Sequence, residues 1–272
     1  MLNLVCAGEG GHTQPMNDIC PPTPIRHHTL PSGLRIAFRH TPAPAGGATI
    51  VFLPGYMSDM AGSKATALFD WAVAQGQGCL LLDYSGCGAS EGQFAQGTLS
   101  RWRDEVLALI AAYVPGPVVL VGSSMGGWLM LLVALAIAPR VQGLVGIAAA
   151  PDFTQWGFTP AEQAQLAAGQ TLLQANPYGP EPTPTHPGFW ADGQAQLLLA
   201  GEIALSCPVH LVQGMADSDV PHDIALFLAE ALRSDAVQIS LVKDGDHRLS
   251  RPADIALIIA AVAAMLAQDT PC

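Results

Sequence analysis

The residues best equipped for chemistry lie in VVLVGSSMGGW, where Gly122-Ser123-Ser124-Met125-Gly126 spells GxSxG between two apolar stretches. A serine held on a sharp strand-to-helix turn projects its oxygen into a crevice. Small residues two before and two after it let the chain close around that turn. The start of the following helix adds partial positive charge where an attacked carbonyl would become negative. Ser124 is therefore the candidate nucleophile, and Ser123, one residue early, reads as a turn residue. The pattern is short, and the strand before it and the helix after it give it weight. Gly127 suits close packing of that helix against a sheet.

A serine hydroxyl attacks poorly unless a neighbouring base takes its proton. Among eight histidines, His247 stands out in KDGDHR, a loop between the last candidate strand and the last candidate helix. His12, His27 and His28 fall in the loose N-terminal region, His186 in a proline-rich stretch, and His210 inside a strand. An acid must orient the imidazole and stabilise its charged form. Asp217 in VQGMADSDVP lies between Ser124 and His247, in the chain order Ser, acid, His. Asp219 and Asp152 remain alternatives; Asp246 is poorly placed to reach its own neighbour's ring. Two backbone N–H groups should face the developing oxyanion. The expected donors are Met125, just after the nucleophile, and Tyr56 in LPGYMSD, where Gly55 permits a bend. The Tyr56 ring can also line an acyl pocket. This chemistry needs no metal or organic cofactor.

One glycine-rich stretch invites a different reading. In DYSGCGASEG the glycines fall at 86, 88 and 92, one residue late for GxGxxG, and Asp83 would repel a phosphate. A structural turn near the rim of the site is expected instead.

These residues need a scaffold, and the chain offers one. Gly33 in LPSG marks a hairpin turn before a candidate edge strand at 34–40. Apolar β-rich runs at 48–53, 79–83, 117–121, 141–149, 209–213 and 237–242 read as strands. Between them, 64–75, 98–114, 125–138, 222–233 and 253–267 read as helices, with Thr98 a candidate N-cap. Such alternation predicts an α/β fold with a mostly parallel central sheet flanked by helices. Every candidate group then falls at the C-terminal ends of strands, where such sheets bind ligands. Residues 151–205 show no clear strand, hold a run of prolines at 177–188, and read as a lid insertion. The expected organisation is a loose tail over 1–25, with Met16 a candidate start, and one domain over 26–272.

Composition narrows the partners. Half of the residues are hydrophobic and 12% are charged, so the chain can bury a large core. With a net charge of −11 and only 11 Lys plus Arg it has little to offer a nucleic-acid backbone or an anionic membrane surface. The apolar runs at 128–138 and 255–267 are too short to span a bilayer, which takes about 18 residues or more. Six scattered cysteines without CxxC spacing read as reduced thiols, and no secretory signal is visible; a cytoplasmic location is expected.

Taken in order, FLPGYMSDMAGSKA, LLDYSGCGASEG, TLSRWRDEV, LVGSSMGGWLMLL, QGMADSDVP and DGDHR resemble α/β-hydrolase domain proteins, over about residues 48–267. The resemblance is to a branch holding a mitochondrial acyl-protein thioesterase and acyl-glucuronide esterase. It implies an α/β-hydrolase fold, a serine hydrolase cleaving carboxylic esters or thioesters, a Ser124-Asp217-His247 triad and oxyanion donors at Tyr56 and Met125. A small ester or thioester, or an acylated protein, is the implied substrate. The N-terminal segment is not Arg-rich, so no transit peptide is expected, and the prolines of 177–188 have no match in the family pattern. The same three groups also suit a carbon–carbon hydrolase or a serine peptidase. A hydrolase fold kept as a binding module is the non-enzymatic alternative. A dehalogenase would need a carboxylate in place of Ser124.

Overall fold

The computed structural model describes residues 23–176 and 179–268. In chain order its elements are β1 (Arg26–Thr29), β2 (Arg35–Thr41), β3 (Thr49–Leu53), α1 (Ser63–Ala74), β4 (Gly78–Leu82), α2 (Leu99–Tyr113), β5 (Val118–Ser123), α3 (Met125–Ala136) and β6 (Val141–Ile147). The insertion follows, with α4 (Phe153–Trp156), α5 (Pro160–Ala167), β7 (Leu172–Gln174), β8 (Thr183–Thr185) and α6 (Pro187–Ala195). The chain closes with β9 (Val209–Gly214), α7 (Asp223–Ala231), β10 (Val237–Val242) and α8 (Pro252–Leu266).

Eight strands form one sheet in the order β1-β2-β4-β3-β5-β6-β9-β10. Only the β1–β2 and β2–β4 pairs are antiparallel; the other neighbours run parallel. Every residue of β3, β4, β5 and β6 is buried, which is why these strands read as unbroken apolar runs rather than alternating ones. Their side chains still alternate between two cores. Val51, Leu53, Leu80 and Leu120 pack with Trp102 and Trp128 from α2 and α3. Ile50, Phe52, Leu81 and Val121 pack with Leu68 and Phe69 of α1 and Ile258 and Val262 of α8. The strand order reverses at β3, with β4 on one side and β5 on the other. The crevice at such a reversal lies beyond the strands' C-terminal ends.

Two expectations about secondary structure need correction. His27 and His28, read as part of the loose N-terminal region, lie in β1, so β2 is an interior strand and not the edge. The polar, exposed RHHT carries no hydrophobic alternation to betray it. The turn between them is as expected, with Gly33 at φ 87° and its N–H donating to Leu30 O at 2.8 Å. The insertion, expected to lack strands, contains the antiparallel hairpin β7–β8, three residues a side. Strands that short, with Pro184 in one of them, are below what periodicity can register.

Thr98 caps α2 by accepting from the Arg101 N–H at 3.1 Å. The two apolar runs tested for membrane spans are the buried α3 and the half-buried α8, and among the described residues no helix is long and apolar enough to cross a membrane. Cys79 and Cys87 are buried free thiols, and Cys207 is buried. The tail over 1–22, with Met16, His12, Cys6 and Cys20, lies outside the described residues, as do 177–178 of the proline run and Cys272.

Candidate active site

Ser124 sits between β5 and α3 at φ 56°, ψ −122°, a conformation few non-glycine residues adopt. The end of β6 holds it there. The Ser124 N–H donates to Ile147 O at 2.9 Å, and Ser124 O accepts from Ala150 N at 3.0 Å and Gly127 N at 2.8 Å. Close approach does the rest. A Cβ on Gly126 would lie 2.1 Å from Leu53 O, and one on Gly122 would lie 2.3 Å from Gly126 O. Glycine spacing around the serine is thus a packing requirement between β3, β5 and α3.

His247 follows β10. Its Nε2 lies 3.0 Å from Ser124 Oγ and its Nδ1 lies 2.9 Å from Asp217 Oδ2. The loops after β9 and β10 are pressed together: Met215 N donates to Val242 O at 2.9 Å and Ala216 N to Gly245 O at 3.0 Å. A Cβ on Gly214 would stand 2.3 Å from Gly245 O. That contact brings Asp217 and His247 within reach of one another. Asp246 serves its own loop, accepting the Leu249 N–H at 3.0 Å. Lys64 of α1 donates its Nζ to Arg248 O, fastening the histidine loop to the helix. Burial, helped by the Arg248 charge, pulls the Lys64 ammonium down to about 8.

The Asp217 side chain is fully buried and receives four hydrogen bonds. Oδ1 accepts the N–H groups of Asp219 (2.9 Å) and Val220 (2.8 Å); Oδ2 accepts Gln213 Nε2 (3.1 Å) and pairs with His247. Burial alone would raise its pKa, but the His247 bond and charge and the two N–H groups outweigh it and hold the carboxyl below its ordinary value. The other two candidates for the acid are placed differently. Asp152 is buried, and its carboxylate accepts Leu198 N at 2.9 Å and Leu199 N at 2.7 Å, stapling the end of the insertion. Asp219 lines the cleft and gives its N–H to Asp217. His210, expected to be satisfied inside its strand, has Nε2 2.8 Å from Ser240 Oγ.

The loop after β3 lies against the serine. A Cβ on Gly55 would be 3.3 Å from Ser124 Cβ and 3.4 Å from Ser123 O. The missing Cβ at Gly55 leaves the loop close to the serine, and the positive φ of this turn falls at Met57, at 55°. Met125 opens α3, and a first helical residue has no carbonyl one turn back to take its N–H. The Tyr56 ring reaches the cleft, and its hydroxyl donates to Pro184 O of β8 at 2.9 Å. The glycine-rich loop over 83–92 closes on itself, with Asp83 accepting Met60 N at 2.7 Å and Ala89 N at 2.8 Å. A Cβ on Gly88 would lie 2.2 Å from the Asp83 carboxylate, so no phosphate fits inside that turn.

A cleft of about 690 Å³ opens above Ser124 and His247. Phe153, Trp156 and Phe158 supply an apolar wall; Gln174, Thr183 and Thr185 of the hairpin supply a polar one. Reading the sequence missed Gln213 and Lys64. A glutamine near the end of β9, just before the loop that carries Asp217, was the available signal for the first; Lys64 had none.

The profile of the Alpha/beta hydrolase family matches residues 50–260. The chain is 38% identical over 217 residues to the mouse (Mus musculus) "Palmitoyl-protein thioesterase ABHD10, mitochondrial", covering 78% of this chain and 73% of the relative. Among solved structures, a protein from Agrobacterium vitis S4 superposes with a TM-score of 0.83 at 42% identity, covering 89% of this chain and 99% of that one. Mouse alpha/beta hydrolase domain-containing protein 10 superposes at 0.82 with 32% identity, covering 89% and 98%. The expected cytoplasmic location does not stand: the mouse relative is mitochondrial by name. Buried reduced thiols occur in either compartment and do not separate them.

Proposed function

The chain belongs to the alpha/beta hydrolase family and is an ester or thioester hydrolase; from that premise we propose that Ser124, His247 and Asp217 are its catalytic triad. The observation that carries this reading is the unbroken row from Ser124 Oγ through the imidazole to the Asp217 carboxylate, at 3.0 and 2.9 Å. His247 Nε2 takes the hydroxyl proton as Oγ attacks the acyl carbon. Met125 N–H and Tyr56 N–H accommodate the oxyanion, a contribution of about 100- to 1,000-fold per donor in comparable sites. The imidazolium, held by Asp217, hands its proton to the departing oxygen or sulfur. Water then releases the acyl group by the reverse relay. The domain carrying this machinery starts at β1, and 151–205 is its lid.

For substrate, we propose acyl groups on cysteine sulfur, including acylated proteins. The mouse relative's name supports this class, and the cleft falls in the size range of small-ligand sites. The acyl chain lies along Phe153, Trp156 and Phe158. The test compares a matched series of acyl thioesters and oxygen esters, with fluorophosphonate labelling of the wild type and Ser124→Ala. Labelling lost in Ser124→Ala, with turnover of the thioesters, is expected. Equal labelling of both proteins would refute the nucleophile; hydrolysis of the oxygen esters alone would refute the thioester class.

A further inference from the structure

Tyr56 touches more of the site than its N–H accounts for. Its backbone belongs to the loop pressed on Ser124 by Gly55. Its ring sits in an aromatic nest made from both the domain and the insertion. The ring centroids of Phe94 and Phe189 are 4.9 and 4.8 Å away, and those of Phe153 and Trp102 are 6.2 and 6.3 Å away. Its hydroxyl then spans to the hairpin, donating to Pro184 O.

The insertion is not fastened uniformly. Its second half is held from several sides. Asp192 accepts Ser100 N at 2.8 Å and Ser100 Oγ at 2.7 Å, Asp152 takes the Leu198 and Leu199 N–H groups, and Trp128 Nε1 donates to Gln196 O at 3.1 Å. The β7–β8 hairpin carries the exposed Leu173 on one strand and meets the oxyanion loop through the Tyr56 hydroxyl.

We propose that the Tyr56 phenol is a positioning group, through which the seating of the β7–β8 hairpin sets the direction of the Tyr56 N–H. The inference rests on the oxyanion role proposed above. Its physics is simple: N–H and ring hang from one Cα. Packing fixes the ring plane, and a directional bond at the far end fixes its rotation and depth. Burial pushes the phenol's pKa well up, so it stays a neutral donor throughout the working pH range. The hairpin is then both a wall of the cleft and a support for the charge-stabilising loop.

The test is Tyr56→Phe, which keeps the ring and the N–H and removes the hydroxyl's hydrogen bonds to Pro184, Thr185 and His186 at the end of the hairpin. On p-nitrophenyl acetate, whose acyl group is too short to need the hairpin wall, kcat should fall about fivefold to tenfold with KM within about twofold. Affinity for a trifluoromethyl ketone, which places an oxyanion in the site, should fall by the same factor. The loss should shrink to under about twofold in a chain whose residues 172–185 are replaced by a short Gly/Ser link. An unchanged kcat, or a raised KM at constant kcat, overturns the proposal and leaves the hairpin as a wall only. The same fold-loss in both backgrounds also overturns it, since the phenol would then act without the hairpin. The first readout stands even if the shortened chain fails to fold. Turnover retained by Ser124→Ala would instead mark a failure of the underlying catalytic reading.

Discussion

Asp217→Asn changes one atom in a fully occupied hydrogen-bond set, and the set dictates the consequence. The wild-type carboxylate presents only acceptors, and donors arrive at both oxygens: two backbone N–H groups at Oδ1, the Gln213 amide and His247 Nδ1 at Oδ2. Asparagine must place its NH2 at one of these positions. At Oδ1 it would face the N–H groups of Asp219 and Val220, fixed in the backbone. At Oδ2 it faces the side-chain amide of Gln213, which can shift where the backbone cannot, although turning it to accept gives up its bonds to Gly214 O and Val220 O. The second placement is therefore favoured, and it makes His247 Nδ1 an acceptor. The proton then moves to Nε2, the nitrogen that must accept from Ser124 Oγ at 3.0 Å. A base in the wrong tautomer costs about 10⁴ in kcat in the serine-protease precedent, equivalent to about 5.4 kcal/mol of barrier. Hydrolysis of a p-nitrophenyl ester at pH 7.5 measures it, with thermal unfolding to show that the variant is folded. A folded Asp217→Asn protein within tenfold of wild-type kcat would refute the tautomer argument and reopen Asp219 as the acid.

Gly55→Ala adds a methyl 3.3 Å from Ser124 Cβ at a backbone conformation alanine can adopt, so the loop must yield by a few tenths of an ångström. We expect kcat to drop about threefold to tenfold, given about 100-fold per ångström of misplacement, with little change in melting temperature; unchanged kcat would show that the loop does not set the geometry. Asp152→Asn can keep its oxygen at the Oδ2 position, which receives both N–H groups, but then sets its NH2 where Oδ1 accepts Leu198 N at 2.9 Å, and should cost about 1–2 kcal/mol in denaturant titrations while fluorophosphonate labelling persists. Loss of labelling in a folded variant would make Asp152 the acid. Because the folded pKa of Asp217 lies below the ordinary value, its ionisation stabilises the fold above the unfolded value of about 3.9 and that contribution is lost as pH falls through the folded value. The stability gap between wild type and Asp217→Asn should therefore narrow as denaturation is moved from pH 6 to pH 3. A constant gap would mean that the carboxylate is no more stabilised in the folded chain than in the unfolded one. Buried Asp83, Glu105 and Asp152 have raised values and act in the opposite sense, which is why the comparison is made at one site.

What could be read in the sequence divides along physical lines. Buried parallel strands announce themselves because two covered faces demand apolar residues at every position. The run at 237–242 matches β10 to the residue, and GxSxG names a turn whose crowding admits no larger side chains. Ser124, Asp217 and His247 could be selected because each follows a strand, and hydrogen bonds join them in the fold. Elements that stand on few residues left no trace: β1 is polar and exposed, and the β7–β8 hairpin is held partly by a tyrosine from a distant loop. Gly55 was noticed for a bend, whereas the positive φ of its turn falls at Met57 and its missing Cβ leaves the loop close to the serine. Gln213 was missed because its partners, Asp217 and the Gly214 and Val220 carbonyls, become neighbours only when the β9 loop folds back.

The site is built with two kinds of tolerance. A backbone like that of Ser124 costs about 1–3 kcal/mol and persists only where its surroundings leave no alternative. Here the carbonyl of Ile147, the Gly127 N–H and the methyl-free contacts at Gly122 and Gly126 belong to regular elements in the most buried part of the sheet, and the Ala150 N–H follows closely on β6. Moving the serine therefore means moving β3, β5 or β6. His247 and Asp217 ride on loops, and hydrogen bonds between those loops locate them, with Lys64 and Gln213 as outside supports. Errors in the first group should appear as loss of folding and errors in the second as loss of rate in a folded chain. That difference makes the loop residues, and not the glycines, the informative places to perturb this enzyme.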